Sequence, residues 1–210
     1  MKENIVFTIA RQYGSGGRTV GQMLAKDLGI HYYDKELMKL AAEESGINEA
    51  LFVQADEKVS LKARLTKSPY KGELLGPDAD GFTSSENLFN YQAAIIRKLA
   101  ETTSCVIVGR CADYILKDYD NVVRCFVHAP MEYLLEHAAS KQPMRGKELE
   151  KFIIKTDQHK AAYYQYYTGQ TWNDARNYDL CLDSSRLGYE KTVEEIKAYA
   201  KVRFGENVLD

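Results

Sequence analysis

A glycine-rich segment near the start of the chain has the residue types that bind a phosphate group. It follows an apolar run at 5–10 and reads Arg11-Gln12-Tyr13-Gly14-Ser15-Gly16-Gly17-Arg18-Thr19. A loop of this kind between a buried strand and a helix turns backbone N–H groups toward an anion, and the helix adds the positive end of its dipole. The segment therefore predicts a phosphate-binding loop with contacts from Arg11, Gly14, Ser15, Gly16, Gly17, Arg18 and Thr19.

The loop departs from the standard motif G-x-x-x-x-G-K-[ST], whose lysine reaches the β- and γ-phosphates. In one alignment Arg18 replaces this lysine, Thr19 keeps the hydroxyl that binds Mg²⁺, and Gln12 stands at the first glycine. An alignment shifted by one residue fits Gly14-Ser15-Gly16 better, but it places Gly17 at the lysine position and Arg18 at the hydroxyl position. Neither alignment restores a lysine, so both stay open.

Four cationic side chains could neutralise a phosphoryl group during its transfer. Transfer depends mainly on aligning donor and acceptor and on stabilising the charge of the phosphate oxygens. Arg18 could instead be an exposed helix residue, and the arginines at 11 and 110 could form ion pairs with Asp34 or Asp113. The candidate cations are Arg11, Arg18, Arg110 and Lys160.

Two oxygen-bearing side chains near the loop have more than one interpretation. Thr19 would hold Mg²⁺ in the first alignment, but a threonine is also ordinary in the first turn of a helix. Asp34 could bind a water of the Mg²⁺ shell, accept a proton from an acceptor hydroxyl, or cap the next helix. The sequence leaves these alternatives open.

A parallel sheet would bring these side chains together, because the carboxyl ends of its strands meet at one edge. Apolar or aromatic runs predict strands at 5–10, 31–33, 104–109, 122–128 and 178–183. Helical patterns lie between them at 19–28, 35–45, 85–102 and 130–140, and a last helix is predicted from a Thr192 cap to Phe204. This alternation predicts a doubly wound α/β fold with a five-stranded parallel sheet.

Two regions interrupt the alternation within what we expect to be a single domain over 1–210. Residues from about 47 to 84 begin helically and then become rich in Lys, Gly, Pro and Asp, which indicates an insertion on the acceptor side. Residues from about 141 to 177 are basic and aromatic, and they are expected to form a lid-like excursion with Asp157 and Lys160. The tyrosines within 163–167 favour packing or an interface between copies of the chain over base stacking.

Composition excludes several classes of partner. The net charge is -2, from 28 Lys and Arg against 30 Asp and Glu, so no overall positive field favours nucleic acid or an anionic membrane. No signal-peptide pattern begins the chain, and we expect a cytoplasmic protein. The 4 cysteines and 4 histidines lack metal-ligand spacing, so we expect buried reduced thiols at Cys105, Cys111, Cys125 and Cys181.

Four segments together resemble the cytidylate kinase-like family, a divergent branch of the P-loop nucleoside monophosphate kinases. They are 10–18, Tyr32-Tyr33-Asp34-Lys35-Glu36-Leu37, Val106-Ile107-Val108-Gly109-Arg110-Cys111-Ala112-Asp113-Tyr114-Ile115-Leu116 and Tyr178-Asp179-Leu180-Cys181-Leu182-Asp183-Ser184-Ser185. The resemblance covers nearly the whole chain and implies a three-layer P-loop NTPase fold of nucleoside monophosphate kinase type, with a helical lid.

The resemblance also implies roles for individual residues. Asp34 matches an acceptor-site aspartate, although the threonine, glycine and arginine that follow in cytidylate kinases are absent. Arg110 matches the arginine that binds the acceptor phosphate, whereas Cys111 stands where an aspartate is expected. Asp157 and Lys160 resemble the lid element D-x-x-R, with lysine in place of arginine, which keeps the charge but loses the bidentate fork.

These observations predict ATP-dependent phosphoryl transfer to a small acceptor, with a nucleoside monophosphate as the leading acceptor. The implied ligands are ATP or another nucleoside triphosphate and Mg²⁺, and a homodimer is an open possibility. The first alternative is a catalytically weak nucleotide or phosphate sensor, because the loop lysine is missing. The second is a small-metabolite kinase.

Overall fold

Five parallel strands form the central sheet of the computed structural model, which describes residues 4–62, 70 and 72–209. The strands are β1 (Val6–Arg11), β2 (His31–Tyr33), β3 (Cys105–Val108), β4 (Val122–His128) and β5 (Leu180–Asp183). Their order in the sheet is β2-β3-β1-β4-β5, and each neighbouring pair is parallel. The predicted α/β class and the five-stranded parallel sheet are therefore confirmed.

Helices cover both faces of this sheet. They are α1 (Gly17–Leu28), α2 (Glu36–Ser45), α3 (Glu49–Lys62), α4 (Ser85–Thr102), α5 (Ala112–Ile115), α6 (Met131–Ala139), α7 (Gly146–Thr168) and α8 (Ser184–Phe204). Two short 3₁₀ helices lie at Ala175–Asn177, between α7 and β5, and at Glu206–Leu209, after α8. One face packs against α1 and α8, and the other packs against α2 to α5 and the C-terminal part of α7.

The sequence of β1 explains why it lies at the centre of the sheet. Alternate side chains point to opposite faces of a strand, and here both sets are mainly apolar, with Thr8 as a buried polar member. Phe7 and Ile9 pack toward α1 and α8, while Val6 and Ala10 pack toward the other helical layer. Burial on both faces places the end of β1, and the loop that follows it, in the middle of the carboxyl edge.

The last helix differs from its predicted start. It begins at Ser184, where Asp183 Oδ1 accepts a hydrogen bond from the Ser185 N–H at 3.0 Å. Gly188 then interrupts the helical backbone with a φ of 72°. The predicted Thr192 cap is wrong, because Thr192 lies inside the helix and its hydroxyl donates to the Gly188 carbonyl at 2.6 Å.

The cysteine prediction is correct for three residues and wrong for one. Cys105, Cys111 and Cys125 are buried free thiols, as expected. Cys181 is exposed, because it lies on β5 at the edge of the sheet. Apolar neighbours in the sequence therefore do not ensure burial on an edge strand.

The two regions outside the alternation contain helices α3 and α7. The region at 47–84 begins with α3, but much of its Lys- and Gly-rich stretch at 67–72 lies outside the described residues. The region at 141–177 consists mainly of α7, whose Tyr164, Tyr166 and Tyr167 are buried in the core. None of the helices in the described part of the chain is long and apolar enough to cross a membrane.

Candidate active site

The glycine-rich loop connects β1 to α1 in a conformation that needs its glycines. Gly14 and Gly16 have φ values of 87° and 78°, in the left-handed region that favours glycine. A Cβ on Gly14 would lie 2.7 Å from the Leu134 carbonyl oxygen, and a Cβ on Gly16 would overlap the Tyr189 ring. The backbone of the loop is thus held between α6 and α8.

Helix α1 begins at this loop without a side-chain cap. Gly16 occupies the N-cap position, and no side chain accepts a hydrogen bond from the first turn among the described residues. The first N–H groups of a helix lack partners within the helix, so an uncapped N-terminus is a ready anion site. This geometry fits the predicted phosphate-binding loop, and Thr19 lies in the first turn of the helix.

Two cavities meet at three cations beside the loop. One cavity, of about 280 Å³, is lined by the loop together with Ala138, Lys141 and Thr156. The other, of about 180 Å³, lies at the ends of β1, β2 and β3 and against α7. Both cavities are lined by Arg11, Arg18 and Lys160.

An ion pair links the first turn of α1 to the end of β2. Arg18 Nε lies 2.7 Å from Asp34 Oδ2, and Arg11 Nη2 lies 3.9 Å from Asp34 Oδ1. Asp34 does not cap α2, since Lys35 takes the N-cap position without a side-chain hydrogen bond. Of the alternatives for Asp34, capping is therefore excluded, and the carboxylate instead holds the cations at the junction of the cavities.

Helix α7 brings Asp157 and Lys160 to the loop. Asp157 Oδ1 accepts hydrogen bonds from the Tyr13 N–H at 2.8 Å and from Lys160 Nζ at 2.8 Å. Lys160 Nζ also donates to the Arg11 carbonyl at 3.3 Å. Burial lowers the pKa of Lys160 to about 8, and nearby Arg11 and Arg18 contribute to the lowering, while Asp157 opposes the shift.

Arg110 lies at the end of β3 in an unusual backbone conformation. Gly109, Arg110 and Cys111 have successive φ values of 79°, 58° and 54°. Non-glycine residues in this region cost of order 1–3 kcal/mol each and cluster at functional sites. Arg110 lines the smaller cavity, and its Nη2 contacts the Met38 sulfur at 3.4 Å.

The smaller cavity also contains residues that the sequence analysis did not assign to the site. Asp113 is 4% exposed, and its Oδ2 accepts a hydrogen bond from Tyr164 Oη at 2.6 Å. Burial raises the pKa of Asp113 to about 6, although the Tyr164 hydrogen bond opposes this shift. The remaining wall is aromatic, formed by His159, Tyr163, Tyr164 and Trp172. Two features of the sequence could have indicated these residues: the run of tyrosines in α7 and the aspartate two residues after Cys111.

A match to a protein family covers both cavities. The model described as the cytidylate kinase-like family matches residues 6–186, which include every residue that lines the two cavities. The chain belongs to the cytidylate kinase-like family. The resemblance noted in the sequence is thereby confirmed.

Individual proteins similar to this family member are distant. The cytidylate kinase of Methanopyrus kandleri is 24% identical over 204 residues, which span 93% of this chain and 92% of that protein. An uncharacterized protein from Eubacterium ventriosum ATCC 27560 has a crystal structure with a TM-score of 0.70 at 24% identity, covering 95% of this chain and 100% of that one. Shikimate kinase from Bacteroides thetaiotaomicron has a TM-score of 0.53 at 12% identity, covering 94% and 98%. These structures share the P-loop kinase fold with the chain.

Proposed function

We propose that this cytidylate kinase-like protein transfers the γ-phosphoryl group of ATP to a small acceptor, with a nucleoside monophosphate as the leading acceptor. The observation that carries the proposal is the position of Arg11, Arg18 and Lys160, which line both cavities. Cations between a donor and an acceptor would neutralise the phosphate oxygens during in-line transfer.

The larger cavity suits the triphosphate. Left-handed glycines and the uncapped N-terminus of α1 supply backbone N–H donors, and the cations supply charge. Mg²⁺, when bound with the nucleotide, would shield the phosphate charge, and in the first alignment of the loop Thr19 would hold it. Lys141 and Thr156 at the rim of this cavity extend the polar surface available to the donor.

The smaller cavity suits a phosphorylated acceptor with a ring. Arg110 would bind the acceptor phosphate, and the aromatic wall would contact the base. Helix α7 would act as the lid-like element, because Asp157 and Lys160 reach the loop from it. Asp34 would position Arg11 and Arg18 or receive the acceptor's proton.

Two specific observations favour the alternatives. The cavity of about 180 Å³ is smaller than the roughly 300–1,000 Å³ of common ligand pockets, which favours a small-metabolite acceptor. The missing loop lysine and the close Arg18–Asp34 pair favour a nucleotide sensor with little turnover.

Steady-state turnover of ATP with Mg²⁺ and a panel of acceptors tests these functions together. Formation of ADP that depends on a nucleoside monophosphate supports the leading proposal. Turnover only with shikimate-like hydroxyl acceptors supports the metabolite kinase. ATP binding by calorimetry with no turnover for any acceptor supports the sensor, and the absence of nucleotide binding contradicts all three.

A further inference from the structure

The side chain of Arg11 crosses the first residue of α1. A Cβ on Gly17 would lie 2.5 Å from Arg11 Cβ and 3.0 Å from Arg11 Cγ. Gly17 is part of the helix, so its backbone conformation does not itself require glycine. The stem of Arg11 is the nearest obstacle to a side chain at position 17, and Val127 Cβ follows at 3.3 Å.

The same side chain ends against a second glycine. Arg11 Nη1 overlaps the place that a Cβ on Gly109 would take, at the end of β3. Gly17 and Gly109 thus leave room for the Arg11 side chain, which extends from β1 across the start of α1 to the end of β3. Arg11, whose guanidinium ends this path, is a lining residue of both cavities.

The Arg11 guanidinium is a charged group without a close partner in the described part of the chain. Its side chain is only 17% exposed, its nearest carboxylate oxygen is 3.9 Å away on Asp34, and it forms no hydrogen bond with a described residue. Burial lowers its pKa to about 10, with Arg18 and Arg110 adding to the shift and Asp34 opposing it, so it is charged at neutral pH. A buried charge is costly unless a ligand or partner compensates it.

We propose that Arg11 supplies from β1 the cation that the loop lysine supplies in the standard motif, and that Gly17 stands at the lysine position so that Arg11 can reach the phosphates. This inference rests on the proposed function and selects the second alignment of the loop. Arg18 then belongs to the ion pair with Asp34 rather than to the lysine's role.

The first experiment compares Arg11→Gln with Arg18→Gln by titration calorimetry, using a non-hydrolysable ATP analogue with Mg²⁺ and, separately, AMP. Loss of a charge-assisted hydrogen bond corresponds to roughly a ten- to hundred-fold rise in Kd. Arg11→Gln is expected to raise the Kd of the triphosphate by this factor and to change the Kd of AMP little. An effect on triphosphate binding that is larger for Arg18→Gln than for Arg11→Gln would overturn the proposal.

Arg124→Gln is the matched control. Arg124 is also a strand arginine, but its Nη2 lies 2.8 Å from Asp179 Oδ1 and it lines neither cavity. Its loss is expected to lower the melting temperature and leave the triphosphate Kd unchanged. Equal weakening of triphosphate binding in Arg11→Gln and Arg124→Gln would assign Arg11 a merely structural role and overturn the proposal.

A relocation of the charge provides an independent test that does not depend on Arg11→Gln folding well. Gly17→Lys is introduced into an Arg11→Gly background, where the stem that excludes a side chain at position 17 is absent. The double variant is expected to bind the triphosphate at least roughly tenfold more tightly than Arg11→Gly alone. No gain in a folded double variant, judged by circular dichroism, would overturn the proposal. Wild-type protein that binds no triphosphate would instead contradict the proposed function.

Discussion

At the scale of single residues, the site contains charges whose environments differ from those of exposed side chains. Asp113 is buried with a phenol as its hydrogen-bond partner, and Lys160 is half-buried near two arginines. Removal from water disfavours the charged form of each group, so the pKa of the aspartate rises and that of the lysine falls. Each shift gives a measurable pH dependence.

For Asp113→Asn we expect a pH-dependent gain in stability relative to wild type. The folded-state pKa of about 6 exceeds the ordinary value of 3.8, so ionisation destabilises the folded wild type as pH rises through this window. As the pH rises through this window, the difference in free energy of unfolding between variant and wild type should shift by up to ~3 kcal/mol in favour of the variant. Urea denaturation at a series of pH values measures this. A difference that stays constant from about pH 4 to 7, or one shared by the exposed control Asp118→Asn, would contradict it.

For Lys160→Arg we expect the alkaline limit of activity to move upward. In the wild type, kcat/KM should fall as pH rises through about 8, because the lysine then loses the charge proposed to contact the phosphate. A guanidinium stays protonated throughout this range, so the variant should keep its activity to higher pH. Measurement of kcat/KM from about pH 6 to 10 tests this, and coincident alkaline limbs in both proteins would assign the titration to another group.

At the scale of elements, helix α1 is bounded by two left-handed glycines with different surroundings. Gly16 at its N-terminus lies against the Tyr189 ring, whereas a Cβ added to Gly29 at its C-terminus would have no described atom within 4 Å. The break in α8 at Gly188 is followed directly by Tyr189, so this irregular helix start covers the loop. Substitution at Gly29 would therefore report the cost of the left-handed backbone alone, whereas substitution at Gly16 would add the cost of displacing the Tyr189 ring.

Substitution of each glycine by alanine should give unequal losses of stability. Gly29→Ala is expected to cost about 1–2 kcal/mol, from the left-handed backbone alone. Gly16→Ala should cost more, because the new methyl group also displaces the Tyr189 ring. Thermal denaturation of both variants and of Gly16→Ala with Tyr189→Ala tests this as a double-mutant cycle. Equal losses of stability for the two glycine variants, or a coupling energy of zero between positions 16 and 189, would show that the Tyr189 ring moves aside without an energetic cost.

At the scale of the whole molecule, the order of the strands brings distant residues together. Residues 11, 34 and 110 lie at or just beyond the ends of β1, β2 and β3, and the carboxyl ends of these adjacent parallel strands share one edge. Helix α7 then adds Asp157 and Lys160 over the same edge. Ligand binding at this junction should stabilise several elements at once.

Addition of ATP with Mg²⁺ should therefore raise the melting temperature of the protein. A ligand at a hundredfold excess over its Kd stabilises the folded state by ~2.7 kcal/mol, which corresponds to roughly 5–10 °C for a chain of this size. Adenosine at the same concentration is the control, since it lacks the phosphates that the loop is proposed to hold. A shift equal for adenosine and ATP would show that the phosphates contribute nothing to binding.

The sequence by itself determined the strands, most of the helices and the family. The apolar runs predicted all five strands to within about two residues, and helix α4 was predicted at its observed bounds of 85–102. The glycine pattern at 14–17 also indicated the loop. These features are local, because the periodicity of a strand or helix and the backbone freedom of glycine depend only on residues that are adjacent in the sequence.

Only the tertiary structure decided which charges pair and which are buried. The passage of Arg11 between Gly17 and Gly109, the pairing of Arg18 with Asp34 and the contact of Asp113 with Tyr164 join residues that are distant in sequence. The exposure of Cys181 depends on the position of β5 at the edge of the sheet. The physical reason is that desolvation and Coulomb interaction act through space, so their outcome is set when the strands are ordered and the helices packed.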